Sequence, residues 1–194
     1  METIILASGS PRRQELLSRL RIPFKAFPPN IAEGFGNIAT VEESVRQIAL
    51  KKIEAVVAGF KQESPRWVLG LDTLVELDGE ALAKPADAEE AGRILRKLSG
   101  RVHRVYTGIG LLPSRGAPVD LRCVATEVKF AHLGKAELDF YLDTGEWSGV
   151  AGAYRIQERG AFFVEWIRGS YSNVVGLPLE TFYGMLKANN YLLA

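Results

Sequence analysis

Ser8-Gly9-Ser10-Pro11-Arg12-Arg13 sets two hydroxyls and two guanidinium groups among small residues. Small residues let a strand turn directly into a helix. The first N–H groups and the positive dipole end of that helix then converge on one spot. Arginines there add donors matched to phosphate geometry. The same residues also suit an ordinary strand–helix turn with a capping serine and solvated arginines. The segment is neither a P-loop nor a GxGxxG, and both patterns are absent from the chain.

Asp72 ends the apolar run Trp67-Val68-Leu69-Gly70-Leu71, and Thr73 follows it. A carboxylate there is poorly placed for solubility and well placed for a binding site; capping a neighbouring turn is the alternative. Asp78-Gly79 is a hairpin signal, and the segment after it ends at Lys84. Strand pairing would bring the Asp72 and Lys84 ends near one another. A carboxylate and an ammonium suit a metal-bound phosphate substrate.

Glu33, in a Pro/Gly loop, and Lys52, in a helical stretch, each suit a surface charge when taken alone. Lys52 nevertheless lies in phase with Val45 and Ile48, so its stem falls on an apolar face. That admits a buried ammonium or a snorkelling one. Between Gly145 and Gly160, Ala151-Gly152-Ala153-Tyr154-Arg155-Ile156-Gln157 permits close backbone approach to a ligand. Gln157 carries a donor and an acceptor, which suits a nucleobase edge; a flexible surface loop is the alternative. His103 and His132 stand far apart, without partners for a zinc site or a triad, and read as core-edge or surface residues. A general base is then a carboxylate.

Those side chains need a scaffold, and the composition allows one. The chain has 194 residues, 47% of them hydrophobic and 24% charged, enough to bury a core. Its 24 Lys and Arg nearly balance 23 Asp and Glu, giving a net charge of +1. No global pull toward a nucleic acid polymer or a membrane is expected, so a ligand must be recognised locally. One cysteine, Cys123, excludes a disulfide scaffold and reads as a small buried hydrophobe. The N-terminus lacks a basic region and a signal-length apolar run, and no stretch nears the roughly 18 apolar residues of a membrane span. A cytoplasmic location is expected.

Local signals outline the elements. Thr3 to Ala7 reads as a strand. Ser10 serves as N-cap and Pro11 as first residue of a helix with Leu16, Leu17 and Leu20 on one face. Phe24 to Phe27 reads as a further strand. Thr40-Val41-Glu42-Glu43 is a capping-box pattern opening a helix to about Ala58, with Val41, Val45, Ile48 and Ala49 inward. Trp67 to Leu77 and Glu80 to Ala83 form a hairpin. Asp87 opens a helix closed by Gly100. Arg101 to Leu112 and Leu121 to Phe130 read as long strands. Lys135 to Thr144 reads as a helix, Ala161 to Ile167 as a strand. A last helix begins near Leu179, with Phe182, Tyr183 and Leu186 on one face. The mixture predicts an α/β fold, a mixed twisted sheet flanked by helices.

Several blocks stand in register along nearly the whole chain. They are Leu6 to Leu17, Gly70-Leu71-Asp72-Thr73, Lys84-Pro85, Leu98-Ser99-Gly100-Arg101, Val105-Tyr106-Thr107-Gly108, Ala151-Gly152-Ala153-Tyr154 and Tyr171 to Pro178. Together they resemble the Maf family of nucleotide pyrophosphatases. The resemblance implies one domain over 1–194, with two lobes around a central cleft. It implies hydrolysis of a nucleoside triphosphate to monophosphate and pyrophosphate with Mg²⁺ or Mn²⁺, clearing unwanted nucleotides from the pool. Asp72 matches the family's proton acceptor. Ser8, Arg12, Arg13, Glu33, Lys52, Lys84 and Gln157 match its site positions; Arg12, Thr73 and Gln157 match positions tied to base choice. Asp72 and Glu33 are the candidate metal ligands.

Arg12-Arg13, Asp72-Thr73 and Gln157 resemble the branch acting on dTTP and UTP. The chain departs from the pattern at Leu71, Gly149-Val150, Arg155 and Glu158. The resemblance admits a homodimer, and a nucleotide-binding regulator of division or stress without turnover is the alternative. Asp72→Asn is expected to cost orders of magnitude in rate while leaving the melting temperature near that of the unaltered protein.

Overall fold

The structure, a computed structural model, describes residues 1–31, 40–60 and 65–192. Among these, seven strands form one mixed sheet: β1 (Ile4–Ala7), β2 (Phe24–Ala26), β3 (Val68–Leu77), β4 (Glu80–Leu82), β5 (Val102–Leu112), β6 (Asp120–Phe130) and β7 (Val164–Arg168). Their order is β2-β1-β3-β5-β6-β7, with β4 hydrogen-bonded to β3. β1 runs parallel to both β2 and β3, while β3–β4 and β6–β7 are antiparallel. The helices are α1 (Pro11–Arg19), α2 (Val41–Gly59), α3 (Ala88–Leu98), α4 (Lys135–Asp143), α5 (Tyr171–Val175) and α6 (Leu179–Ala188). The chain divides into two compact units, one of residues 1–72, 107–124 and 176–194, the other of 73–106 and 125–175.

In the first unit, strand alternation sorts the core. Ile4, Leu6, Leu69 and Leu71 pack with Leu17 of α1 and with Phe182, Met185 and Leu186 of α6. Ile5, Ala7 and Val68 face the other way, onto Ile53 and Val56 of α2. Both strand faces are covered, which is why β1 and the start of β3 read as unbroken apolar runs. Gly70 shares parity with Val68, and a Cβ there would collide with the Ala49 carbonyl of α2. Gly108 of β5 meets the Val45 backbone of the same helix as closely. These glycines let α2 lie directly on the sheet.

In the second unit, β5, β6, α4 and the segment around Tyr154 contribute an aromatic core. Phe130 packs against Tyr154, Phe163 and His103, and Tyr141 against Phe163. α3 starts at the Asp87 cap, whose carboxylate accepts from Glu90 N–H.

Several boundaries follow the local signals. Thr40 accepts from Glu43 N–H as α2 begins, Pro11 opens α1, and Gly79 takes φ +84 in the β3–β4 turn. Others do not. Leu20, expected on the apolar face of α1, is 44% exposed, because the helix ends at Arg19 and Leu20 leaves the stripe. Tyr183 of α6 is 51% exposed, and Met185 takes the buried place beside Phe182 and Leu186. The strand expected from Ala161 starts only at Val164, since Arg159–Phe163 forms a 3₁₀ turn. α5 carries no periodic stripe, and the sequence reading has no helix there.

Candidate functional site

The N-terminus of α1 carries Arg12 and Arg13 and no acidic residue in its first turn. α2 and α3, by contrast, begin with Glu42-Glu43 and Glu89-Glu90, as the helix dipole favours. Two cations at the positive end of a dipole repel it unless an anion lies there. Ser10 is the N-cap residue, yet its side chain makes no capping bond. Ser8 supplies the hydroxyl instead, accepting from Ser10 N–H at 3.3 Å.

Arg13 is buried at 7% exposure, and its guanidinium is built into the fold. Nε donates to the Gly176 carbonyl at 2.8 Å, and one terminal nitrogen donates to Ser8 Oγ at 2.9 Å and to the Leu71 carbonyl at 3.1 Å. One side chain thereby joins α1, the loop after β1, β3 and the loop between α5 and α6. Arg12 is half-buried at the second position of α1.

Asp72 follows Val68 and Gly70 on the face of β3 turned to α2. Lys52 reaches it from the apolar stripe of that helix. Its Nζ lies 2.7 Å from Asp72 Oδ1 and 3.3 Å from the Leu71 carbonyl oxygen. Lys52 is 5% and Asp72 6% exposed, so this ion pair is buried. The two cations Arg13 and Lys52 both donate to the Leu71 carbonyl. The peptide that leads into Asp72 is therefore held from two sides. Leu71, where the family pattern has a small residue, is fully buried and offers the carbonyl.

The structure thus brings together Ser8, Arg13, Lys52 and Asp72 in the first unit. Lys52 pairs with Asp72, a partnership that the residue types and spacing do not give. Glu33 lies outside the described residues. Thr73, Lys84 and Gln157 belong to the second unit: Thr73 and Gln157 are half-buried, and Lys84 is exposed. The register Val75↔Leu82 directs the Lys84 end of β4 toward the Thr73 end of β3. Val150, where the family pattern often has a lysine, is buried at 3% exposure and packs as a core residue.

Among the described residues no three His, Cys, Asp or Glu side chains cluster to hold a metal ion. Asp72, expected from sequence to be a metal ligand, is a carboxylate of this site and already pairs with Lys52 through Oδ1. Mg²⁺ typically uses one or two carboxylates and takes its other ligands from substrate phosphates and water. The donor set fits a metal that arrives with a phosphorylated substrate.

The remaining chemistry-bearing side chains have structural places. His103 is buried, its Nε2 lies 2.9 Å from Tyr154 Oη, and burial pushes its pKa down from 6.5 to about 4. The folded protein keeps this ring neutral at pH values where the unfolded chain takes up a proton. Stability from this source is complete above pH 6.5 and declines as pH falls toward 4, by about 3 kcal/mol at pH 4. Urea unfolding across that range checks it: His103→Gln should flatten the decline, and equal slopes in both proteins would refute it. Cys123 is half-buried with its thiol pKa pushed up to about 12 by burial, an inert thiol. His132 is exposed. No helix among the described residues is long and apolar enough to cross a membrane.

Leu71 and Gly176 lie within the motif blocks, but their part in holding the site, each through its main-chain carbonyl, is not visible in the sequence. Main-chain acceptors leave no trace in residue type.

The fold has a solved counterpart in a HAM1 protein from Coxiella burnetii. It is 19% identical, with a TM-score of 0.55 over 97% of this chain and all of that one. Two relatives are much nearer in sequence. The dTTP/UTP pyrophosphatase of Symbiobacterium thermophilum is 44% identical over 98% of this chain and 96% of its own. That of Salmonella typhimurium is 45% identical over 99% and 95%. The family model for Maf-like proteins matches residues 3–189, which includes every part of the Ser8, Arg13, Lys52 and Asp72 constellation. On that span and that identity, the chain belongs to the Maf family.

Proposed function

We propose that this protein hydrolyses nucleoside triphosphates, dTTP and UTP foremost, to the monophosphate and pyrophosphate. The observation that carries the reading is the buried Asp72–Lys52 pair, held through Leu71 beside an arginine-bearing helix N-terminus. The names of the relatives support the substrate.

A triphosphate carries about four negative charges near neutral pH, so charge neutralisation dominates the barrier. In this reading Ser8, the α1 N-terminus and Arg12 bind phosphate. Arg13 binds there too and fixes the Ser8 hydroxyl. Asp72 takes a proton from the attacking water as the water oxygen bonds to the α-phosphorus and the bond to the β-phosphate oxygen breaks. Lys52 orients the Asp72 carboxylate and balances its charge, and together with Lys84 it stabilises the departing pyrophosphate. Thr73, Arg12 and Gln157 choose the base. Mg²⁺ or Mn²⁺, when bound, is held by Asp72 with Glu33 as second carboxylate, and it withdraws charge from the phosphates. Clearing surplus or modified pyrimidine nucleotides is the cellular role. It is exercised in the cytoplasm, where the nucleotide pool lies.

One panel tests the reading: each nucleoside triphosphate with Mg²⁺ or Mn²⁺, assayed for monophosphate, pyrophosphate and orthophosphate. dTTP and UTP are expected to give monophosphate and pyrophosphate in equal amounts. Orthophosphate release would mean cleavage of a different bond. Thermal stabilisation by nucleotide without any turnover would replace the enzyme with a nucleotide-binding regulator.

A further inference from the structure

Gln157 is carried by a segment that the sequence allows to be loose and the structure holds tightly. Ala151–Ala153 is a single 3₁₀ turn with Gly152 at φ +71 and Ala153 at φ +60. A Cβ on Gly152 would lie 2.6 Å from a Val75 methyl, so the turn rests on β3. Tyr154 then sends its hydroxyl to His103 Nε2 at 2.9 Å. The next residue, Arg155, donates its N–H to Tyr141 Oη at 3.1 Å. On the far side of Gln157, Glu158 N–H donates to the Arg155 carbonyl at 3.2 Å. Arg159 N–H and guanidinium then grip the buried Glu146 carboxylate at 3.0 and 2.8 Å. Gln157, half-buried, lies between anchored neighbours.

The polar groups among these anchors are costly where they sit. Both tyrosine rings lie in the aromatic core, where phenylalanine would pack the same area without a hydroxyl to satisfy. The His103–Tyr154 pair is also incompletely satisfied, because His103 Nδ1 is buried without a hydrogen-bond partner. With the imidazole neutral, donation from Tyr154 Oη–H to Nε2 leaves one unsatisfied group; the opposite direction leaves two. A pair of this kind contributes little net stability. What it does provide is direction: it fixes the azimuth of the Tyr154 side chain, and Tyr141 fixes the next peptide.

We propose that Tyr154, Tyr141 and His103 are positioning residues that preset Gln157 for the nucleobase. The proposal rests on the base-reading role given to Gln157 above. It makes base selectivity a property of the aromatic core of the second unit as well as of the residue that touches the base.

The test uses the full chain and steady-state kinetics with dTTP, UTP and CTP. The variants are Tyr154→Phe, Tyr141→Phe and, as reference, Gln157→Ala, each with its melting temperature. Removing one hydroxyl is expected to raise KM for dTTP and UTP about fivefold, the worth of one hydrogen bond. The dTTP-to-CTP ratio of kcat/KM should fall by a similar factor, with kcat moving less than KM. Adding Tyr154→Phe to Gln157→Ala should cause no further loss of selectivity, since the two act through one group.

An unchanged base ratio in both tyrosine variants, whatever their melting temperatures, overturns the proposal while leaving Gln157 as base reader if Gln157→Ala alone loses the preference. An unaltered protein without base preference overturns the role of Gln157 and the proposal with it. Should Tyr154→Phe not fold, Tyr141→Phe decides the matter alone.

Discussion

Asp72→Asn is expected to lower kcat for dTTP hydrolysis by about a thousandfold, within the range a positioned general base supplies. Asparagine keeps the shape of the side chain and an oxygen for Lys52, but it takes no proton. The same substitution should cost stability, which the sequence alone does not suggest. From sequence, Asp72 stands at the end of a strand and its removal leaves the melting temperature near that of the unaltered protein. In the structure it is the counter-charge of a lysine that is 5% exposed. Exchanging that carboxylate for an amide weakens a charge-assisted bond, worth about 1–3 kcal/mol. For a chain of this size that lowers the melting temperature by roughly 2–12 °C. Single-turnover kinetics well below both unfolding midpoints separate the two losses. Turnover within about threefold of the unaltered protein would remove Asp72 from the chemistry, as base and as metal ligand alike.

Lys52→Met should carry the larger stability cost. Methionine fills most of the stem's volume on the apolar face of α2, but it leaves the Asp72 carboxylate buried without its cation. Removing one partner of a buried pair typically costs about 3–5 kcal/mol, because the remaining charge is uncompensated. Removing both charges leaves no such orphan. The double variant Lys52→Met with Asp72→Asn should therefore be more stable than Lys52→Met, although neither turns over nucleotide at an appreciable rate. Urea midpoints of the four proteins at pH 7 close the cycle. A Lys52→Met variant within about 0.5 kcal/mol of the unaltered protein would mean that the pair is solvated rather than buried. The cycle also isolates function from folding, since the double variant is expected to regain stability without regaining the base.

How far the sequence went differs by element, and the reason is range. Thr40 and Asp87 announce their helices because a capping bond spans three residues. Asp78-Gly79 announces its hairpin because a two-residue turn needs positive φ. Leu20 and Tyr183 fail because a periodic stripe says which residues share a face but not how far a helix runs or how wide its partner is. Asp72 and Lys52 stood out singly, each as a charge inside an apolar pattern. Their partnership did not, because alternation and helical period assign faces without saying which helix covers which strand.

By itself, then, the sequence determined the α/β class, most element positions, the family and the residues to suspect. These rest on short-range signals and on motif order. Only the tertiary structure decided who holds whom. Gly70 brings α2 onto β3, so Lys52 meets Asp72. The buried Arg13 ties Ser8 to Leu71 and Gly176 across 163 residues of chain. Tyr141 and His103, remote in sequence, hold the segment that presents Gln157. Several of these contacts end on main-chain carbonyl oxygens, which every residue type offers, or on N–H groups, which all but proline offer. No reading of residue types can find them, and only packing brings them together.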